Sequence, residues 1–244
     1  MKRPKIVFFD YGQTLMNETA FDPLKGMRAV LETAVEDAHG LRAEDLTAFY
    51  RGMIEDINRP AREYAGMQYI EVSEPLMQRY LFGCFGIRPT KSSREIEMIF
   101  ERNAKTAAPS PGIGDLLAFL KKNGIRAGVI SNITMTGDVL AEVLRERIPG
   151  CAFDPVVASS DAIFRKPHPR IFRCALKRAG VAASEAFFCG DNPAVDLAGA
   201  AAAGIFPVWY RGCCSFSDDA RPACRHLEVR SWKELAEAIS ALPA

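Results

Sequence analysis

Apolar and polar positions change rhythm several times along the chain, and each change marks an element. Lys5 leads into the run Ile6-Val7-Phe8-Phe9, which has no polar alternation and stops at Asp10-Tyr11-Gly12. A short run of that kind predicts a strand covered on both faces, as in parallel sheets layered by helices. After Leu15 the periodicity becomes helical. Asp22-Pro23 supplies a cap and a first-turn proline, and Leu24, Met27, Val30, Leu31, Ala34, Val35 and Ala38 form an apolar stripe that stops at Gly40. A second helix is expected from near Ala43, carrying Leu46, Phe49, Tyr50, Met53, Ile54 and Ile57 to Pro60. Further helices are expected over Glu74 to Phe85 and from Ser92, with Glu95 completing a capping box, through Phe100. The aromatic and Met positions of this block (Phe49, Tyr50, Met53, Tyr64, Tyr69, Phe82, Phe85) are expected in its core.

From Pro109 strands and helices alternate. Pro111-Gly112 opens a helix that Asn123-Gly124 closes, and Ile125 to Ile130 reads as a strand ending at Ser131-Asn132. Then follow a helix over Gly137 to Arg147, a strand over Pro155 to Ala158, a helix over His168 to Arg178 and a strand over Ala186 to Cys189 ending at Gly190-Asp191. A small-residue helix from Pro193 to Ala203, a strand over Phe206 to Tyr210 and a helix capped by Ser231 and Glu234 complete the order. Strands separated by helical crossovers predict an α/β, doubly wound parallel sheet. Residues 1–16 and 105–244 are read as this core, and residues 17–104 as an inserted all-helical domain.

Composition narrows the partners. In 244 residues, 31 basic and 30 acidic side chains leave a net charge of +1, so bulk charge draws the protein toward neither nucleic acid nor an anionic membrane. No stretch reaches the ~18 to 20 apolar residues of a membrane span. The basic start Met1-Lys2-Arg3-Pro4 is not expected to begin a signal peptide, because the apolar run after it is interrupted at Asp10 and lacks a small-residue cleavage site. Seven cysteines without framework spacing point to reduced thiols and a cytoplasmic location. Cys213, Cys214, Cys224 and His226 do not have zinc-ligand spacing, and their loop is read as a surface excursion.

Candidate chemistry gathers at strand ends. Asp10 is placed as a nucleophile or metal ligand, because ligands of open α/β sheets bind at the carboxyl ends of strands. Ser131 and Asn132, between a strand and a helix, can hold a phosphate oxygen. Lys166 can set an ammonium on developing negative charge. Asp191 ends another strand, and Asp196 follows one turn into the next helix. Asp10 and Asp191 together make a hard oxygen site that suits Mg²⁺.

These segments, in this order, resemble the haloacid dehalogenase-like (HAD) superfamily of hydrolases: Asp10 to Thr14, Ser131-Asn132, Lys166-Pro167, and Gly190-Asp191 with Asp196. The resemblance covers residues 1 to 16 and roughly 105 to 212, and makes the helical insertion a cap domain. It implies a phosphatase of small phosphorylated metabolites in which Asp10 forms an aspartyl phosphate. Ser131 and Lys166 would hold the transferring group. Mg²⁺ would bridge Asp10, the carbonyl of Gly12 and Asp191, with Asp196 orienting the metal shell. One departure stands out. The family usually places a second Asp, the general acid and base, where this chain has Gly12, and such catalysis is typically worth ~10² to 10⁴ in rate. The Gln13 amide has no proton to give near neutral pH. Three readings follow: slow turnover of substrates with good leaving groups; an acid borrowed from elsewhere, with Glu18, Asp22 and Tyr50 as candidates; or phosphate binding without turnover. Dehalogenase chemistry needs no metal, against which Asp191 and Asp196 argue. Phosphonate cleavage needs a cap lysine, for which Lys25 is the candidate. The insertion and the Cys-rich loop also suit a module that docks a protein partner.

Overall fold

In the computed structural model, which describes residues 2–36, 38, 40–63, 65–213 and 221–243, the first apolar run forms β1 (Ile6–Phe9) with all four side chains buried. Next come β2 (Met16–Phe21), α1 (Pro23–Ala34), α2 (Ala43–Glu63), α3 (Glu74–Phe85), α4 (Ser93–Ala104) and β3 (Lys105–Pro109). The alternating half contains α5 (Ile113–Lys122), β4 (Arg126–Ser131), α6 (Gly137–Arg147), β5 (Val156–Ala158), α7 (Ser159–Ala162) and α8 (Pro169–Ala179). It continues with β6 (Ala186–Gly190), α9 (Ala198–Ala202), β7 (Phe206–Tyr210), β8 (Leu227–Val229) and α10 (Trp232–Ser240).

Among the described residues, six strands form a parallel sheet in the order β5-β4-β1-β6-β7-β8. Alternation along β1 feeds two cores. Val7 and Phe9 pack with Leu116 of α5, Leu140 of α6 and Trp232 of α10, while Ile6 and Phe8 pack with Ile171 and Phe172 of α8 and Ala200 of α9. Each fully buried side chain of this size stabilises the fold by about 1.5–3 kcal/mol. Because β1 is flanked by β4 on one side and β6 on the other, connections leave it in opposite directions, and the crevice beyond its carboxyl end is where such sheets bind ligands.

Helices α1 to α4 close a separate core around Met27, Leu46, Tyr50, Leu81 and Phe100. Three departures from the expected helical block concern the ends of its elements. Residues Met16–Phe21 are a strand, paired antiparallel with β3, so the block is joined to the sheet by a two-stranded ribbon. Its polar sequence and exposed outer half hide it from a periodicity reading. Helix α1 also stops at Ala34, where Val35 turns extended and bridges to Pro89. Helix α2 continues past Pro60 to Glu63. The expected core residue Tyr64 and the cysteine Cys214 lie outside the described residues. Cys213 Sγ lies 3.7 Å from the Tyr210 hydroxyl and Cys224 Sγ lies 3.7 Å from the Leu197 carbonyl. Among the described residues no helix is long and apolar enough to cross a membrane.

Candidate active site

Asp10 follows β1 and Asp191 follows β6, strands paired with Phe9 opposite Cys189. That register brings both carboxylates to one edge, and the Asp10 N–H donates to the Cys189 carbonyl at 2.9 Å. Asp196 comes from a wide turn of π type, Pro193–Leu197, which Asn192 initiates by accepting from the Ala194 and Val195 N–H groups. Such turns recur at functional sites because they redirect a side chain out of helical register. Asp196 Oδ2 in turn accepts from the Asn192 N–H at 3.0 Å. Gly190 is required for this packing, since a Cβ there would lie 2.5 Å from the Asp196 carboxylate. Trp209 Nε1 donates to the Asp191 carbonyl at 3.0 Å and fixes the turn from the far side.

Asp10, Asp191 and Asp196 each offer a carboxylate oxygen, and these oxygens lie within 4.8 Å of one another. The Lys166 ammonium enters from the loop before α8, 2.6 Å from Asp10 Oδ1 and 2.7 Å from Asp196 Oδ1. Three carboxylates against one ammonium leave the ionised cluster two charges negative, a hard-oxygen set that suits a divalent cation. Burial first, and the crowding of charge after it, appear in the acidities. Burial pushes the Asp10 carboxyl up to about 6, with Lys166 opposing and Asp196 adding to the rise. Burial pushes Asp191 up to about 7, reinforced by Asp196 and Asp10. Burial alone would lower Lys166, yet Asp10 and Asp196 outweigh it and hold the ammonium above its ordinary range.

Ser131 ends β4, is buried, and lines the same cavity as Asp10 and Lys166, a space of about 730 Å³. Asn132 also borders it, but its amide is engaged. Nδ2 donates to the Lys166 carbonyl at 2.9 Å and Oδ1 accepts from the Lys166 N–H at 2.6 Å. Both bonds cross 34 positions of sequence and therefore place Lys166, a task that the strand-end pattern does not reveal. The helical block contributes Tyr50 and Ile54 of α2 to the cavity, and the ribbon contributes Glu18 and Lys105. Arg165, beside Lys166, donates twice to the Glu71 carboxylate at 2.8 and 2.9 Å. Among the earlier acid candidates, Tyr50 donates its hydroxyl to Glu74 at 2.9 Å, and Asp22 caps Leu24 at 3.1 Å away from the cavity lining. Lys25 is exposed, 3.9 Å from Asp22, and does not border the cavity.

The haloacid dehalogenase-like hydrolase family model matches residues 4–204. The chain is 32% identical to the phosphoserine phosphatase of Thermus thermophilus over 60% of this chain and 58% of that protein, less than two thirds of its length. It is 30% identical to the glyceraldehyde 3-phosphate phosphatase of Pyrococcus abyssi, over 85% of this chain and 81% of that one. Among solved structures, a HAD phosphatase from Thermococcus onnurineus aligns with a TM-score of 0.59 at 18% identity over 98% and 99% of the two chains, a likeness of fold.

Proposed function

Because the chain belongs to the haloacid dehalogenase-like hydrolases, we propose that it hydrolyses small phosphate monoesters by nucleophilic attack of Asp10 on phosphorus. The observation that carries this reading is the Lys166 ammonium held 2.6 Å from Asp10 Oδ1 at the mouth of the crevice, with Asp191 and Asp196 beside it. Phosphoryl transfer asks mainly for in-line positioning and neutralised charge, and the cluster is built for both. Lys166 orients the nucleophile and faces the negative charge of the transferring group. Asp196 Oδ1 lies 2.7 Å from the same ammonium, and its charge holds the lysine from a second side. Ser131 and Asn132 border the space that the phosphoryl oxygens would enter. The donor set fits Mg²⁺, which Asp10, Asp191 and the Gly12 carbonyl would hold, and which would supply charge neutralisation when bound. Relatives named for phosphoserine and glyceraldehyde 3-phosphate support a small phosphorylated metabolite as substrate. Helices α1 to α4 serve in this reading as a cap over the crevice.

The test is turnover of an aryl phosphate and a panel of alkyl phosphates. Asp10→Asn is expected to lower kcat by at least about 10³-fold, the scale of losing a nucleophile, and EDTA to stop turnover until Mg²⁺ is restored. Activity that survives both treatments overturns the proposal.

A further inference from the structure

We infer that Glu18 is the proton donor to the leaving group and the base for the water that follows, in place of a side chain at position 12. This rests on the Asp10 reading and extends it. A Cβ added to Gly12 would lie 2.8 Å from Glu18 Oε2, so the Glu18 carboxylate already occupies the space that a side chain at position 12 would enter. Both residues border the cavity that contains Asp10, Lys166 and Asp191. Among the described residues no hydrogen bond or ion pair engages the Glu18 carboxylate, whereas Glu101, the other glutamate of the cavity, is paired with Lys105 at 3.0 Å. Tyr50 and Asp22 are committed elsewhere, as described above.

The local chain explains the aim. Gln13 adopts a left-handed backbone, φ 53°, which folds the segment after Asp10 back on itself. Its amide then donates to the Glu18 carbonyl at 2.9 Å, and Gly12 bridges to Met16. At Glu18 the ribbon departs from regular pairing: Glu18 faces Ala107 and Ala20 faces Thr106, which leaves Thr19 as an extra residue. A bulge of this kind bends its strand and re-aims a side chain. Here a left-handed residue, a side-chain clamp and a bulge all fix one carboxylate over one glycine.

The chemistry is balanced. As Asp10 bonds to phosphorus and the bond from phosphorus to the ester oxygen breaks, the Glu18 carboxyl gives its proton to that oxygen and an alcohol leaves. The Glu18 carboxylate then takes a proton from water, whose oxygen attacks the phosphorus of the aspartyl phosphate. The bond to Asp10 breaks, inorganic phosphate departs and Glu18 is protonated again.

Rapid-quench measurement of Asp10 phosphorylation separates this role from a structural one. The two donors are p-nitrophenyl phosphate, whose leaving group needs no proton, and the alkyl phosphate that the wild type turns over fastest. Glu18→Gln is expected to slow phosphorylation by the alkyl ester about 10²-fold, within the range for a lost general acid. With the aryl ester it leaves a near-stoichiometric burst of nitrophenolate followed by slow turnover. Moving the carboxylate, as Gly12→Asp in a Glu18→Ala background, is expected to regain at least tenfold over Glu18→Ala alone. A Glu18→Gln variant that slows both donors equally, or neither, overturns the assignment. If the wild type transfers phosphoryl to Asp10 from neither donor, the Asp10 reading fails instead.

Discussion

Lys166 shows what a single side chain does when buried between opposite charges. Its ammonium is almost entirely enclosed, and both Asp10 and Asp196 depend on it. Lys166→Met, similar in length but uncharged, is expected to cost about 3 kcal/mol of stability because two buried carboxylates lose their partner. It should also lower kcat by about 10² to 10³-fold. Asn132 makes a finer test. With both ends of its amide on the backbone of residue 166, Asn132→Ala is expected to lower kcat about tenfold with KM nearly unchanged, since it displaces the ammonium without removing it. Steady-state kinetics of the two variants, beside urea unfolding, distinguish lost charge from lost placement. Asp10, Ser131 and Asp191 were readable from sequence because each sits where an apolar run meets a turn, and Lys166 because it stands just before a helix. Asn132 was read as a phosphate contact, and its observed bonds to a loop 34 positions away carry no local signature. Glu18 was one of three acids that sequence could name and not rank. Only the folded ribbon, with its bulge, puts that carboxylate over Gly12.

At the scale of elements, the start of α3 carries an unusual group. Glu74 is fully buried and accepts from the Tyr50 hydroxyl and the Gln78 amide at 2.9 and 3.2 Å. Burial first, then the nearby Glu101, pushes its carboxyl up from 4.5 to about 7 despite those bonds. The folded state therefore holds a proton that the unfolded chain releases between these two values, and stability falls as pH rises through that window. A shift of this size corresponds to about 3 kcal/mol. Glu74→Gln, which mimics the protonated form, is expected to match the wild type near pH 4.5 and to exceed it by up to that amount at pH 8. Urea unfolding at the two pH values measures the difference, and parallel pH profiles for the two proteins would refute it. The same helix was predicted with its observed ends because its stripe and its terminal glycine are local signals. Strands whose neighbours lie on both faces were equally plain. By contrast, β2 and β8 are partly exposed, and their pairing rather than their composition makes them strands.

Across the whole molecule, the helical block meets the sheet-bearing part through Met98, which packs into the sheet-side core, and through a set of polar contacts. Arg94 and Arg102 of α4 pair with Glu142 and Glu146 of α6 on the exposed side. Glu97 accepts from the Thr136 N–H and hydroxyl, and Glu71 receives Arg165 and the Ser159 hydroxyl at the opposite side. None of these partners is legible in the sequence, since the last pairing spans 94 positions. Polar seams of this kind open more readily than apolar ones, and the exposed pairs are screened by salt. The Glu71–Arg165 pair differs, because the Glu71 side chain is only 4% exposed and Arg165 adjoins Lys166. Glu71→Gln keeps an acceptor for Ser159 and removes the charge, whereas Arg165→Ala removes the donor. If the pair holds the closed arrangement around substrate, each change is expected to raise KM about three- to tenfold. The double variant should then be no worse than the poorer single one, because the two act through one contact. Added salt should raise wild-type KM less than it loosens the α4–α6 pairs, which are reached first by counterions. A double-mutant cycle on KM decides the matter: full additivity would mean that Glu71 and Arg165 act separately, and that the seam beside Lys166 does not govern closure.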